Sequence, residues 1–167
     1  MRIPKIGAVA PEIILPDQDN KIQKLSDYKG SWVLLYFYPK DDTPGCAKQA
    51  CGIRDIFPNF SSEGGSASGG KKFKIVVLGV SINSPASHKK FIEKYDLPFT
   101  LLADEEKTIV KKYGVWGKKK FMGREYDGTF RTSFLINPSG KIVKIYEQVK
   151  PEVHAQEVIS DIRNLIE

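Results

Sequence analysis

Cysteine and histidine are scarce in this chain, two of each among 167 residues. Two cysteines are too few to staple a secreted scaffold of this size, which leaves redox or catalytic use as the better reason for their presence. His88 and His154 stand far apart, and neither C-x-x-C nor H-x-x-x-H spacing occurs, so no zinc-type ligand set is legible. Both histidines read as solvated surface side chains. Long apolar runs are missing too: WVLLYFY and IVVLGV fall well short of the roughly 18 residues a membrane helix needs. Proline interrupts MRIPKIGAVAPEIILPDQ too often for a signal-peptide core. A soluble, cytoplasmic protein with no membrane partner is expected. Acid is not in excess either, the formal charge being +6. The lysines, however, come in pairs at Lys71, Lys89 and Lys111 and one triplet at Lys118, interleaved with acids. That pattern reads as solvated faces, and no nucleic-acid partner is expected.

What is present is enough apolar sequence, 41%, to bury one core, read as a single domain over residues 1–167. SWVLLYFY, between Gly30 and Pro39, is β-branched and aromatic throughout, as in a strand buried on both faces. DDTPGCAKQACGIRDIFPNF then offers a helix start at Thr43-Pro44 and helical spacing of Ala47, Ala50, Cys51, Ile53, Arg54 and Phe57, with Pro58 ending or kinking it. Ser61–Lys72 is nearly free of apolar residues and reads as a flexible connection, either an inserted linker or a natural surface loop. A second buried-type strand covers Phe73–Ser81. A helix follows, with Ser84 as N-cap, Pro85 as first residue and Pro98 as stop. FTLLAD gives a third strand, and EEKTIVKKYGV a helix with Ile109, Val110 and Tyr113 on one side and Gly114 as cap. TSFLI and KIVKIY form a hairpin through NPSG. A last amphipathic helix, from about Pro151 to Ile166, offers Val153, Val158, Ile162, Leu165 and Ile166 to cover the sheet. Early crossovers and a late hairpin predict an α/β fold, a central mixed β-sheet flanked by helices.

Cys46 follows a buried strand and opens a helix, where unpaired N–H groups and the positive helix end stabilise a thiolate. Taken alone it reads equally well as a small buried hydrophobe. Cys51, five residues on, shifts the balance. On an intact helix that spacing separates the Cα atoms by roughly 8 to 9 Å, whereas a disulfide needs about 7 Å or less. A bridge therefore forms only if the first helical turns unwind, which predicts two states.

FYPKDDTPGC followed by ACGIRD resembles the peroxiredoxin active site of the Q-type, or bacterioferritin comigratory protein, branch, and the Pro39-x-x-x-Thr43-x-x-Cys46 spacing matches its signature. APEIILPDQDN, FTLLADEE, YGVWGKKKFMGREYDGTFRTSFLINPSGKI and the closing helix extend the match over nearly the whole chain. The resemblance implies a thioredoxin-like fold and thiol peroxidase activity without a cofactor. It gives Cys46 the role of peroxidatic cysteine and Cys51 that of resolving cysteine. Thr43 becomes the hydroxyl beside thiolate and peroxide, Pro39 and Pro44 shape the loop, and Arg131 is the active-site arginine. Gln49 departs from the glutamate many members carry.

On these expectations, a hydroperoxide is aligned by Thr43, the N–H groups of Gly45 and Cys46, and Arg131. Cys46 is oxidised to a sulfenic acid, Cys51 closes an intramolecular disulfide, and thioredoxin or a similar dithiol reopens it. A monomer is expected. Arg131 at a strand start also suits a surface ion, and Thr43 an N-cap. Trp116, Phe121 and Tyr126 either line the approach or pack their loop on the core. Two rivals remain at this point, a disulfide oxidoreductase, against which the C-x-x-x-x-C spacing argues, and a metal-binding or interaction module.

Overall fold

The computed structural model describes residues 2–60 and 74–166; the expected Ser61–Lys72 connection lies outside them. Strands β1 (Ile14–Pro16) and β2 (Ile22–Lys24) form a small hairpin, and a 3₁₀ turn over Leu25–Tyr28 leads to β3 (Trp32–Phe37). Helix α1 spans Pro44–Phe60, followed by β4 (Ile75–Ser81), α2 (Pro85–Tyr95), β5 (Thr100–Ala103) and a short α3 (Thr108–Lys112). A second hairpin, β6 (Trp116–Phe121) and β7 (Arg124–Thr129), precedes β8 (Thr132–Ile136), β9 (Ile142–Tyr146) and α4 (His154–Ile166).

The main sheet has the order β5-β4-β3-β8-β9. β3, β4 and β5 run parallel, and β8 pairs antiparallel with both β3 and β9. This is the mixed α/β architecture the residue pattern predicts. β3 sits centrally because it is apolar at every position: Leu34, Tyr36 and Tyr38 face one core, with Ala50 and Ile53 of α1, Phe91 of α2 and Val158 and Ile162 of α4. Val33, Leu35 and Phe37 face the other, with Leu15 of the first hairpin and Ile109 and Val110 of α3. Gly79 on β4 lies opposite Tyr36, where a Cβ would stand 2.9 Å from the phenol ring and 2.6 Å from Leu101. A residue without a side chain is what admits the Tyr36 ring there.

Pro44 and Pro85 are the first residues of α1 and α2, where the missing N–H costs nothing. Ser84 caps α2 by accepting from the Ser87 N–H at 3.1 Å. Helix α2 stops at Tyr95, on Asp96 in the left-handed region, with Pro98 shortly beyond as a stop. Three expectations are corrected. α1 is not ended by Pro58 but runs two residues past it, since a proline so near a helix end forfeits little of the ladder. The last helix begins at His154 rather than near Pro151, and Val153 and Leu165 are exposed; Val158 and Ile162 cover the sheet as expected, joined by Ala155 and Ile159. Finally, both histidines are buried, His88 at 0% and His154 at 1% exposure, so neither is a solvated surface group.

Candidate active site

Three pieces of chain converge at the C-terminal end of β3. Beyond Tyr38 the loop passes Pro39 and Asp42, whose φ of 57° is left-handed, to Thr43 and Pro44. Cys46 is thus the third residue of α1. Helix geometry leaves the N–H groups of Gly45 and Cys46 without intrahelical acceptors; the first backbone bond of this type is Ala47 N–H to Thr43 O at 2.8 Å. The second piece is Arg131, immediately before β8, and the third is the segment ahead of α4, whose Pro151 lies against Gly45 and Gly52.

Cys46 is buried at 2% exposure, and its Sγ accepts from Arg131 Nη2 at 3.4 Å. The other arm of the guanidinium, Nη1, donates to Gln49 Oε1 at 2.7 Å. A neutral amide therefore orients the arginine without neutralising it, so the field of the cation falls on the sulfur. Gly45 makes this approach possible: a Cβ there would stand 3.0 Å from Nη2. The Thr43 hydroxyl donates to the Lys40 carbonyl at 3.0 Å rather than capping the helix, which leaves its oxygen to act as an acceptor. Arg131 also borders a cavity of about 620 Å³ shared with Ile3, Lys119 and Phe130. Lys119 donates to Thr129 O at 3.0 Å; burial first, then the Arg131 cation, lowers its affinity for a proton.

Cys51 is half-buried and both cysteines are free. Helix α1 is unbroken between them, so their Cα atoms are held about 8 to 9 Å apart, beyond bridging distance. Sequence reasoning thus gathers Cys46, Thr43, Pro44, Gly45 and Arg131 at one helix start, with Pro39 on the loop before it and Cys51 in the next turns. Of the aromatic residues in question, Trp116 packs on the core while Phe121 and Tyr126 are exposed. Among the described residues, no group of three or more His, Cys, Asp or Glu is placed to hold a metal ion, and no helix is long and apolar enough to cross a membrane.

Two further groups escaped the residue pattern. Tyr36 is fully buried in the same core as Cys46, and burial first, then the nearby sulfur, raises its pKa well above the usual phenol value; it stays a neutral phenol. His154 packs edge-on against Tyr146, ring centroids 5.2 Å apart, and its Nε2 lacks a hydrogen-bond partner among the described residues. Burial, with the Arg131 cation second, lowers its pKa to about 4. The unfolded chain takes up this proton near pH 6.5 and the folded state only near 4. The resulting stability is present in full above pH 6.5 and lost as the pH falls through about 4, a loss of about 3 kcal/mol in all. Urea unfolding should show wild type losing about that much stability relative to His154→Leu between pH 7 and pH 4. Parallel curves would mean that His154 takes up its proton at the same pH in the folded and the unfolded chain.

The sequence matches the AhpC/TSA family over residues 6–145. It is 44% identical over 156 residues to peroxiredoxin Bcp of Escherichia coli, covering 93% of this chain and 94% of that one. With peroxiredoxin Bcp of Bacillus subtilis the identity is 39% over 163 residues, 98% of each chain. Among solved structures, a cysteine-to-serine variant of PrxQ from Xylella fastidiosa superposes with a TM-score of 0.86 at 32% identity, covering 98% of both chains. The bacterioferritin comigratory protein of Xanthomonas campestris, a protein with alkyl peroxide reduction activity, does so with a TM-score of 0.79 at 27% identity, over 93% of this chain and 92% of that one.

Proposed function

The chain belongs to the AhpC/TSA family, in its peroxiredoxin Q and Bcp branch, and from that premise we propose that it is a thiol peroxidase whose nucleophile is Cys46. The observation that carries this reading is the Arg131 guanidinium at 3.4 Å from the Cys46 sulfur, at a helix start where two N–H groups are free. Arginine keeps its charge at any physiological pH, so cation and helix end together favour the thiolate.

Hydrogen peroxide or an organic hydroperoxide places its nearer oxygen in line with Cys46 Sγ. Thr43 Oγ1, its own proton committed to Lys40 O, accepts from the peroxide O–H. The sulfur attacks, the O–O bond breaks, and the departing alkoxide or hydroxide leaves as alcohol or water after taking a proton. Arg131 and the N–H groups of Gly45 and Cys46 stabilise the charge that develops on the oxygens. Pro39 and Pro44 hold the loop closed over the sulfur. Cys46 is now a sulfenic acid. After the first turns of α1 unwind, the Cys51 sulfur displaces water from it and a disulfide closes within the chain. Thioredoxin or a similar dithiol then reduces it by thiol–disulfide exchange. The enzyme acts as a cytoplasmic monomer in antioxidant defence and uses no cofactor.

The test is the mass of the protein after one equivalent of hydrogen peroxide with dimedone present, in wild type and Cys51→Ser. Wild type should lose about 2 Da as the S–S bond replaces two S–H groups, while Cys51→Ser should carry dimedone on Cys46. Equal adducts in both would make Cys51 a bystander, and no reaction within seconds would sink the peroxidase reading.

A further inference from the structure

The loop that leads into Cys46 is tied to α2 by a buried polar cluster that the peroxidase chemistry does not use. The Asp41 carboxylate accepts from Tyr38 OH at 2.6 Å, from Ser87 Oγ at 2.8 Å and from His88 at 2.7 Å. His88 is fully buried, and its Nε2 donates to the Leu102 carbonyl at 2.9 Å; a single proton therefore lies between its Nδ1 and Asp41 Oδ2. The Asp41 N–H donates to Asn83 Oδ1 at 3.0 Å. Next along the chain, Asp42 accepts from Lys94 Nζ at 2.7 Å and from Tyr95 OH at 2.6 Å. On the far side of the cysteines, Arg54 Nη1 donates to the backbone oxygen of the same Tyr95 at 2.7 Å. Helix α2 thus grips the chain on both sides of the two cysteines.

Between those grips, Thr43 to Ile53, polar ties to the rest of the protein are few: Arg131 reaches Cys46 and Gln49, and Lys48 meets Glu152 at 3.8 Å on the surface. Gly45 and Gly52 both fall in this stretch, and glycine is a poor helix former. The geometry also leaves slack. Asp42 and Cys46 are four positions apart, a stretch that reaches up to about 13 Å when extended, whereas bridging needs Cys46 to approach Cys51 by only about 1 to 2 Å.

We infer that Asp41, Asp42 and His88 are positioning residues for the redox cycle: they hold the upstream end of the active-site loop on α2 in both the dithiol and the disulfide state, with the hinge at Asp42 and the unwinding confined to Thr43–Gly52. Asp42 already occupies a left-handed conformation and is the last residue before the free stretch. The anchor keeps Cys46 within reach of Cys51, as a short tether raises an effective concentration. This inference rests on the reading that Cys46 and Cys51 bridge, but it does not require peroxide.

Diamide, which oxidises neighbouring thiols without peroxide chemistry, closes the bridge for the test, and amide exchange is followed by NMR in both redox forms of the wild-type chain. The Asp41 amide and the His88 ring signals should be unchanged within about 3-fold in protection, while amides from Ala47 to Cys51 lose at least about 100-fold. Loss of protection at Asp41 together with α1 would overturn the anchor, as would failure of diamide to join the cysteines. A second measurement uses Lys94→Met with Tyr95→Phe, which deletes both side-chain contacts to Asp42 and leaves the hinge backbone unchanged. Bridge closure should slow by about 3-fold or more, with Asp42→Asn, which keeps an acceptor for Tyr95, in between. Closure as fast as wild type or faster would show that the contacts resist the motion or do not matter to it.

Discussion

Replacing Cys46 by serine is expected to abolish peroxide turnover, a fall of at least ~10⁴-fold in second-order rate, as when a covalent nucleophile is lost. A serine hydroxyl is nearly isosteric with the thiol and can still accept from Arg131, so the fold should stay within about 1 kcal/mol of wild type. Chemistry is what changes. A hydroxyl beside one cation stays protonated at neutral pH, and its oxygen is a poor nucleophile towards peroxide, whereas a thiolate is a good one. Peroxide consumption by stopped flow on wild type, Cys46→Ser and Cys46→Ala decides it. A residual rate within about 100-fold of wild type would move the nucleophile to Cys51, which the Cys51→Ser mass experiment would reveal independently.

The parts of this fold that residue pattern reveals are those where one physical demand dominates. Strand β3 is apolar on both faces because it is central, and that reads directly from SWVLLYF. Pro44 and Pro85 mark helix starts because only there does proline lose nothing. The β6–β7 hairpin left no such trace: its strands WGKKKF and REYDGT are largely exposed, so no buried face imposes alternation, and the turn is set by Met122 and Gly123 at positive φ. The histidines were legible in principle and misread. His88 stands three residues after Pro85 and three before Phe91, all buried, and His154 precedes Val158 and Ile162 by four and eight; helical period places each on its helix's buried face. Judging a histidine by residue type rather than by period hid them. The contact of Asp41 with His88 joins residues 47 apart across two elements, and no local pattern encodes it. For the active site the helix start located Cys46 and Gln49 lies one turn on in the same helix, but only the assembled sheet brings Arg131 to both.

Replacing Arg131 by methionine should slow the reaction with hydrogen peroxide by ~10²- to 10³-fold, which is about 3 to 4 kcal/mol of transition-state stabilisation and typical of removing a charged donor from a site where negative charge develops. Two losses combine. The sulfur loses its cationic donor, so alkylation of Cys46 by iodoacetamide at pH 7 should slow. The departing oxygen loses that donor too, so the peroxide rate should fall further than the alkylation rate. Because Gln49 Oε1 now faces Arg131 Nη1 at 2.7 Å, the substitution also leaves a buried acceptor without its donor, a penalty of about 1 to 3 kcal/mol on stability. Lysine restores the charge but cannot engage the sulfur and Gln49 together with a rigid fork; Arg131→Lys should therefore recover much of the alkylation rate and little of the peroxide rate. If lysine restores both, Arg131 acts as a point charge alone. If methionine slows peroxide no more than it slows alkylation, the arginine acts on the sulfur alone and takes no part in breaking the O–O bond.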